Sequence, residues 1–212
     1  MATYADLKAR IIRETIRDDL SDTLALSLTQ AIKDAIEFYA DQRLWFNETI
    51  LTSVTVLNNE YVSLPGTLAL RKLDRFAITV GATQYPLRAQ SLVQIEDWAK
   101  AIQTQGQPTD YAVYGSQDIP TYRLWPRPNA VFPLTWVGVI DEPALSADSD
   151  TNSWTTYGYG LITARAKMLL FRDQFRDAEG AQLAANAEAQ QLQTLKVETA
   201  RRLGTGRIRS SW

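Results

Sequence analysis

The stretch FYADQRLWFNET, residues 38–49, separates two kinds of hydrophobic pattern. Before it, apolar residues recur at helical spacing; after it, ETILTSVTV (48–56) is rich in the Thr, Val and Ile that favour strands. Its aromatic rings are crowded around Arg43 and belong to Phe38, Tyr39, Trp45 and Phe46. We interpret the stretch as the hinge core between a helical layer and a β layer, with a sugar or nucleotide platform as the alternative.

The residues predicted to act at a domain or subunit junction are Arg43, Trp45, Phe46 and Asn47. The rings are expected mainly in the core, because aromatic side chains contribute most when buried. Arg43 and Asn47 are expected nearer the surface, where a neighbouring copy of the chain has access to them.

Upstream, the pattern predicts two amphipathic helices. Thr3 with Asp6 three residues later is typical of a helix start, and Ser21 or Asp22 is a candidate cap for the second helix. One face of the second helix carries the apolar residues Leu24, Leu28, Ala31, Ile32, Ala35, Ile36 and Tyr39. Two such helices joined by a short polar link usually pack antiparallel.

Downstream, short strand-like segments separated by turn residues predict a small antiparallel β region. We expect a hairpin of 48–57 with 60–64 around two asparagines, and a second hairpin of 70–80 with 85–89. Ser91 is a candidate cap for one short helix. Three further strands are predicted at YAVYG, TYRLWPRP and LTWVGVID.

From Trp154 the pattern is helical again and continues to Leu203 after the polar loop 142–153. Gly180 is expected to mark a kink or a break. An alanine-rich face suited to close helix packing contains Ala181, Ala184, Ala185, Ala187 and Ala189. The residues beyond Gly204 have neither a strong period nor many apolar groups, which predicts a flexible tail.

These elements predict an α+β fold, mainly α, in which the N- and C-terminal helices form one bundle. The small antiparallel β region is inserted between them, because separated amphipathic helices bury their faces most simply against each other. The predicted parts are 1–44 and 154–203 for the bundle, 45–141 for the β insert, and 204–212 for an extended docking tail.

The composition of the 212 residues limits the possible chemistry. The absence of cysteine excludes disulfides and thiolate sites, and the absence of histidine removes the usual proton-transfer group and commonest metal ligand. We therefore expect no enzyme, cofactor or metal site, although a glycosidase needs only two carboxylates in a cleft. No apolar stretch suits a membrane span or a signal peptide, so we expect synthesis in a cytosol.

Three possible ligand sites can be weighed from the residues. GTGRIR lacks the flanking strand and helix of a phosphate loop, and SADSD lacks the glycine and glutamate of a calcium loop. The aromatics of the β region are Trp98, Tyr111, Tyr114, Tyr122, Trp125 and Trp136. If exposed in a row, they suit carbohydrate binding, which is the alternative function; packing in the core is the competing interpretation.

Charge is distributed unevenly along the chain. Residues 196–212 hold five basic side chains and one acidic one, and the other 195 residues hold 17 basic and 23 acidic ones. The end of this basic segment contains Arg207, Ile208, Arg209 and Trp212, and a purely solvating tail has little use for Ile or Trp. These four residues are predicted to dock on an acidic partner surface.

The order of elements and several stretches resemble the head-to-tail adaptor proteins of tailed bacteriophages, which sit beneath the portal in the neck. The resemblance rests on AIKDAIEFYADQRLWFNET, on GQPTDYAVYG followed by YRLWPRPNAVFPLTW, and on TNSWTTYGYGLITARAKMLLFRDQFRDAEGAQ. It covers roughly residues 1–200.

This resemblance implies a structural protein of the virion neck, assembled in the host cytoplasm. It implies a ring, commonly of twelve copies, that extends the DNA channel, binds the portal protein and supports the next tail or neck protein. Genomic DNA passes without sequence-specific binding, and no membrane is involved. The resemblance also assigns portal docking to Arg207, Ile208, Arg209 and Trp212, and it assigns bundle or neighbour packing to the alanine-rich helix.

Overall fold

The fold of the chain was analysed in a computed structural model that describes residues 1–15, 22–65, 69–101, 104–115 and 121–202. The chain divides into two compact units. The helical unit contains residues 1–47 and the described residues from 142 onward, and the β unit contains residues 48–141. The expected mixed α+β class is confirmed.

The helices begin and end largely where the sequence pattern predicts. In chain order they are α1 (Tyr4–Thr15), α2 (Asp22–Ala40), α3 (Leu92–Ala101), α4 (Ser153–Thr156), α5 (Tyr159–Leu169), a π-helix (Leu170–Phe175) and α6 (Ala178–Arg202). At the start of α1, the Asp6 carboxylate accepts the N–H of Thr3 at 2.8 Å, and the Thr3 hydroxyl accepts the N–H of Asp6 at 3.2 Å. This reciprocal cap confirms the predicted helix start.

Helix α5 lies at the centre of the helical unit, where it contacts α1, α2 and α6. The predicted apolar face of α2 is buried at Leu28, Ile32, Ala35 and Tyr39. The core is completed by residues of the other helices and loops, among them Leu7, Ile11, Leu44, Phe46, Trp154, Leu161, Ile162 and Leu195. Helical periodicity alone therefore identifies most of this core.

The break in the C-terminal helices occurs before Gly180. Arg176 adopts a left-handed conformation, with φ of 52°, and ends the π-helix. Gly180 lies in the first turn of α6, where its N–H donates to the Asp177 carboxylate at 2.9 Å. A Cβ there would lie 2.6 Å from that carboxylate, so the glycine makes room for the cap instead of marking the break.

The strands of the β unit form two four-stranded sheets and one short pair. The strands are β1 (Glu48–Val54), β2 (Tyr61–Ser63), β3 (Leu70–Val80), β4 (Thr83–Pro86), β5 (Arg88–Ala89), β6 (Gln105–Gly106), β7 (Asp110–Tyr114), β8 (Thr121–Trp125), β9 (Arg127–Pro128) and β10 (Pro133–Ile140). The first sheet has the order β1-β10-β3-β4 and is antiparallel throughout. The second has the order β2-β8-β7-β5, and β6 pairs with β9.

The predicted hairpin of 48–57 with 60–64 is wrong. β1 pairs with β10, Glu48 opposite Val139, while β2 pairs with β8 in the other sheet. Asn58 has the expected positive φ, 62°, but its N–H donates to the carbonyl of Pro128 at 2.9 Å and the chain crosses between sheets there. The turn was recognisable from the asparagines, whereas the partner strand depends on distant residues.

The predicted hairpin of 70–80 with 85–89 is only partly correct. β3 turns back at Gly81, which supplies the positive φ of 61° that the turn requires, and pairs with β4, Val80 opposite Thr83. Residues 88 and 89 instead form β5 and pair with β7 in the second sheet. The predicted cap of α3 is confirmed. The Ser91 hydroxyl accepts the N–H of Gln94 at 3.2 Å and caps α3.

Aromatic rings fill the interior of the β unit. Phe76 of β3 is stacked on Trp136 of β10 with ring centroids 3.7 Å apart, and Tyr122 of β8 meets Trp136 at 4.7 Å. The indole N–H of Trp136 donates to the Ser53 hydroxyl at 2.8 Å, so this buried ring leaves no unpaired donor. The two sheets therefore share one apolar core.

Candidate docking sites

The segment between α2 and β1 is a turn organised by Asn47. Its side-chain oxygen accepts the N–H of Leu44 at 2.8 Å, and its amide donates to the carbonyl of Gln42 at 2.8 Å. Asn47 is 1% exposed, so the expectation that it lies near the surface is wrong. The side chain is buried because it satisfies main-chain groups of the turn. Arg43 is exposed, as expected.

Trp45 and Phe46 join the aromatic core of the helical unit. The Phe46 ring meets Trp154 edge to face at 5.1 Å, and the Trp45 ring lies 4.5 Å from that of Tyr157. Phe46 and Trp154 are buried, Trp45 is half-buried, and Tyr157 is exposed. The segment that leads into β1 is thus fixed to α4 and the residue after it.

Phe38 and Tyr39 are adjacent but lie in different environments. Tyr39 is 1% exposed, whereas Phe38 is 54% exposed and does not belong to the buried core. The guanidinium of Arg165 lies 3.7 Å from the centre of the Phe38 ring, a cation–π contact. Neighbours along a helix point in directions about 100° apart, so one of two consecutive rings faces outward.

A group of buried polar side chains links α2, α5 and α6. The Tyr39 hydroxyl donates to the Glu188 carboxylate, and Arg165 donates to the same oxygen at 3.1 Å. Burial raises the pKa of Tyr39, and the hydrogen bond to Glu188 raises it further. The phenol therefore stays protonated as a donor. The Glu188 carboxylate serves both donors inside the unit.

Neither Glu188 nor Arg165 was predicted from the sequence. The position of Glu188 could have been found from helical periodicity, because it follows Ala184 by four residues and precedes Leu195 by seven, on one helical face. All three residues are buried. A carboxylate on the apolar face of a helix indicates a buried cationic or hydroxyl partner.

The last described turn of α6 lies on the predicted junction segment. The Arg202 guanidinium is 3.7 Å from the centre of the Trp45 ring, and the main-chain N–H of Trp45 donates to the Thr199 hydroxyl at 3.2 Å. Arg202 also forms an ion pair with Glu198 at 2.6 Å. These contacts hold the helix end from which residues 203–212 continue.

The four predicted docking residues of the tail, Arg207, Ile208, Arg209 and Trp212, lie outside the described residues. Their role stays a prediction. The predicted junction and the last described residue of α6 are neighbours in the helical unit, because Arg202 stacks on Trp45.

The aromatic side chains of the β unit do not form one exposed row. Tyr122 and Trp136 are 3% and 0% exposed and belong to the core. Trp98, Tyr111 and Trp125 are half-buried, and Tyr114 is exposed. Burial takes Tyr122 and Trp136 out of any such row, and the other four rings stay at least partly accessible.

A polar cleft of about 430 Å³ lies beside α3 in the β unit. Arg123 lines the cleft and forms ion pairs with Glu60 at 3.2 Å and with Glu96 at 3.6 Å. Trp125 and Arg127 complete that side of the cleft. Both carboxylates face the same guanidinium, which is typical of a structural ion-pair network.

A second polar group joins β5 to β7. Asp110 is buried and accepts hydrogen bonds from Thr109 at 2.6 Å, Gln90 at 2.9 Å and Arg88 at 3.1 Å. Burial alone would raise the pKa of Asp110, but these three bonds outweigh burial and lower it. Asp110 is therefore an ionised anchor between strands.

The described parts of the chain also bear on metal binding and membrane insertion. Among those residues, no three side chains of His, Cys, Asp or Glu are grouped so that they could hold a metal ion. None of the described helices is long and apolar enough to cross a membrane.

The sequence model of a family described as SU10 adaptor protein matches residues 2–210, nearly the whole chain. No curated protein matches the chain.

Proposed function

The chain belongs to the SU10 adaptor protein family, a family of phage head-to-tail adaptors, and we propose that it docks as a ring on the portal of a tailed bacteriophage. Family membership makes it a component of the virion that contacts other phage structural proteins. The match over residues 2–210 is the observation that carries the proposal, because it includes the helical unit, the β unit and most of the tail.

In this proposal the ring contains about twelve copies, as the resemblance to neck adaptors implies. It extends the DNA channel below the portal and offers its far side to the next tail or neck protein. The role is structural, without catalysis or a cofactor. The lack of cysteine and histidine is consistent with such a role, since it removes the side chains most used for catalysis near neutral pH.

The distribution of charge supports a channel through which DNA slides. Residues 1–195 have a net charge of −6, counted from 17 basic and 23 acidic side chains. A protein that binds DNA tightly neutralises phosphates with Lys and Arg, and each contact strengthens binding. An acidic body avoids that attraction and lets DNA pass without sequence-specific contacts.

The composition of the tail supports portal docking by residues 204–212. Arg207 and Arg209 supply charge, while Ile208 and Trp212 supply the apolar surface that anchors most protein interfaces. The Trp45, Thr199 and Arg202 contacts fix the helix end from which the tail starts. A fixed origin limits the region that the docking residues search, which favours binding to a nearby partner.

The test is the mass of the protein, measured by light scattering on a size-exclusion column, alone and with the portal protein encoded beside it. We expect the chain to move onto the portal as a complex whose added mass equals about twelve copies. A chain that stays separate from the portal at every ratio contradicts the proposal.

A tail variant sharpens this test. Replacing residues 204–212 by a Gly-Ser segment of equal length is expected to abolish portal binding while the circular dichroism spectrum and melting temperature stay unchanged. The matched control is Val93→Lys, a charge added at an exposed position of α3, which is expected to bind normally. Unchanged portal binding by the tail variant excludes the tail as the docking element.

A further inference from the structure

One edge of the first sheet carries an apolar surface that the proposed portal docking does not use. β1 is an edge strand, since it pairs with β10 and with no other strand among the described residues. It pairs residue for residue over all seven positions, and it contains neither lysine nor proline. Edge strands that stay unpaired in solution usually carry a lysine, a proline or a bulge that blocks pairing.

Exposed aliphatic residues cluster on β1 and at its end. Ile50 and Val54 of β1 are 67% and 55% exposed, and Val56, Leu57 and Val131 are 58%, 52% and 62% exposed. The N–H of Thr55 donates to the carbonyl of Phe132 at 2.9 Å, so the segment that follows β1 runs beside the segment that precedes β10. We call these five aliphatic residues the edge patch.

The edge patch is also free of charge. Neither 49–59 nor 129–140 contains a single Asp, Glu, Lys or Arg, although 22% of the chain is charged. Its five residues expose roughly 500 Å², as much as the largest apolar patches on monomeric proteins. This is more than half of the about 800 Å² per partner that a stable interface buries. The surface therefore suits a protein partner.

The other edge of the same sheet is formed by β4 (Thr83–Pro86). In the described parts of the chain, β4 pairs with β3 and with no other strand, and all four of its residues are exposed. β10 is antiparallel to β1 and to β3, and β4 is antiparallel to β3. β4 consequently runs opposite to β1. When copies follow one another by rotation in the same orientation, β4 of one copy is antiparallel to β1 of the next.

We propose that β1 and the edge patch receive β4 of a second copy of this chain, so that the first sheet continues from copy to copy. This inference rests on the proposed ring. Contact between two different edges is heterologous, the kind of contact that closes a ring of more than two copies. β4 is short and ends in proline, so burial of the edge patch supplies most of the stability, and the few backbone hydrogen bonds set the register.

The absence of cysteine allows a direct test by disulfide cross-linking. Thr52 of β1 and Gln84 of β4 are exposed and lie on the same face of the sheet. Thr52 pairs with Thr135 of β10, Gln84 pairs with Thr79 of β3, and the register of β10 against β3 places Thr135 and Thr79 on one face. Within one copy these edges are three strand spacings apart, about 14 Å. A disulfide needs Cα atoms no more than about 7 Å apart, so the pair cannot close within a copy.

The chain with Thr52→Cys and Gln84→Cys is oxidised both on the portal and alone at high concentration. We expect a ladder of multimers on a non-reducing gel, while each single cysteine variant stays monomeric. Val54→Cys and Ile50→Cys, each with Gln84→Cys, cover the neighbouring registers. The matched control is Val93→Cys with Gln84→Cys, expected to give no ladder.

Each outcome decides the proposal. If portal complexes form but no register cross-links, the sheet-to-sheet contact is wrong and the adaptor role stands. If Thr52→Cys alone gives dimers, β1 meets β1 and the proposed partner strand is wrong. If the protein does not bind the portal, the adaptor proposal fails, and the concentrated protein alone still tests the edge contact.

Charge placed on the edge patch gives an independent readout. Ile50→Lys with Val54→Lys is expected to weaken association between copies by about tenfold or more, as loss of an interface anchor does. Val93→Lys is the control, because Val93 is 67% exposed, as Ile50 is. Sedimentation velocity measures the association, and unchanged association in the double lysine variant overturns the proposal.

Discussion

Three helices of the helical unit share one group of hydrogen-bonded polar side chains, whereas aromatic rings stacked on one another fill the centre of the β unit. In the helical unit, Glu188 accepts hydrogen bonds from Tyr39 and Arg165, which lie on two other helices. In the β unit, Phe76, Tyr122 and Trp136 meet at the centre of two sheets. The two units therefore differ in the contacts that join their elements at these points.

The difference shows how each unit obtains a unique arrangement. The buried face of α6 includes small side chains such as Ala184, which interlock only weakly with neighbouring helices. We infer that the directional hydrogen bonds of Glu188 help to fix the position of α6 along those helices. Large rings interlock by shape and need few polar contacts. Substitutions in the two interiors are expected to differ in size and in their response to pH.

The largest effect is expected from the aromatic interior. Trp136→Ala removes the ring stacked on Phe76 and leaves a cavity, which is expected to destabilise the β unit by about 3 to 5 kcal/mol. Urea denaturation measures the loss, and hydrogen exchange is expected to increase in β1, β3 and β10 but not in α5 and α6.

The control for this experiment is Trp98→Ala. Trp98 is half-buried on α3, so the loss of its ring is expected to cost far less. An equal loss in the two variants contradicts the central role of the aromatic stack.

A somewhat smaller effect is expected from the buried ion pair of the helical unit. Glu188→Gln keeps an acceptor for Tyr39 but leaves the Arg165 charge without its partner, at a cost of about 2 to 4 kcal/mol. Arg165→Met added to Glu188→Gln is expected to recover much of that loss, because no uncompensated charge remains. The free energies of unfolding of the four proteins form a double-mutant cycle.

Strictly additive losses in this cycle contradict direct coupling between Arg165 and Glu188. The surface pair of Arg202 and Glu198 offers a comparison, since exposed ion pairs contribute at most about 1 kcal/mol.

The smallest effect is expected at Asp110, a buried carboxylate of the β unit whose hydrogen bonds lower its pKa. The pKa of Asp110 is below its ordinary value in the folded chain, so the unfolded chain binds this proton more readily. The stabilisation is complete above the ordinary Asp pKa of about 3.9 and is lost as pH falls through the lowered folded-state pKa. Asp110→Asn is expected to cost about 1 to 2 kcal/mol at neutral pH.

The check is the stability difference between wild type and Asp110→Asn across acid pH. It is expected to shrink as the pH falls below about 4, because wild type loses the contribution that the variant already lacks. A difference for Asp110→Asn that stays constant with pH excludes an ionised anchor.

Local features of the fold were predictable from the residues. The cap formed by Thr3 and Asp6 and the Ser91 cap of α3 are confirmed. Each depends on side chains within about four positions of one another, so the sequence contains all the relevant partners. The resemblance to head-to-tail adaptors, confirmed by the family match, also follows from ordered local stretches.

Pairing between distant segments was not predictable. The hairpin expected for 48–57 with 60–64 has the right turn residue, Asn58, and the wrong partners. Similarly, Gly180 was expected to break the helix, but the break is at Arg176, where nothing in the residue type favours positive φ. The strand partners depend on residues far apart in the sequence, and the local pattern does not explain the left-handed conformation of Arg176.

The candidate sites divide in the same way. The sequence identified the aromatic junction and the basic tail, because clusters of rings and charge are visible along the chain. It placed Asn47 at the surface and overlooked Glu188, because burial and hydrogen-bond partners depend on which segments meet. The edge patch combines both kinds of information, since an uncharged stretch is visible in the sequence while its position on an open edge is not.

By itself, the sequence determined the helices with their caps, the general α+β class, the absence of thiol and imidazole chemistry, and the adaptor family. These properties depend on periodicity and composition, which are recorded along the chain. Only the tertiary structure decided that β1 pairs with β10, that Phe38 is exposed beside buried Tyr39, and that Arg202 lies on Trp45. The physical reason is that burial and strand pairing are set by free-energy differences between competing long-range contacts, which no short segment contains.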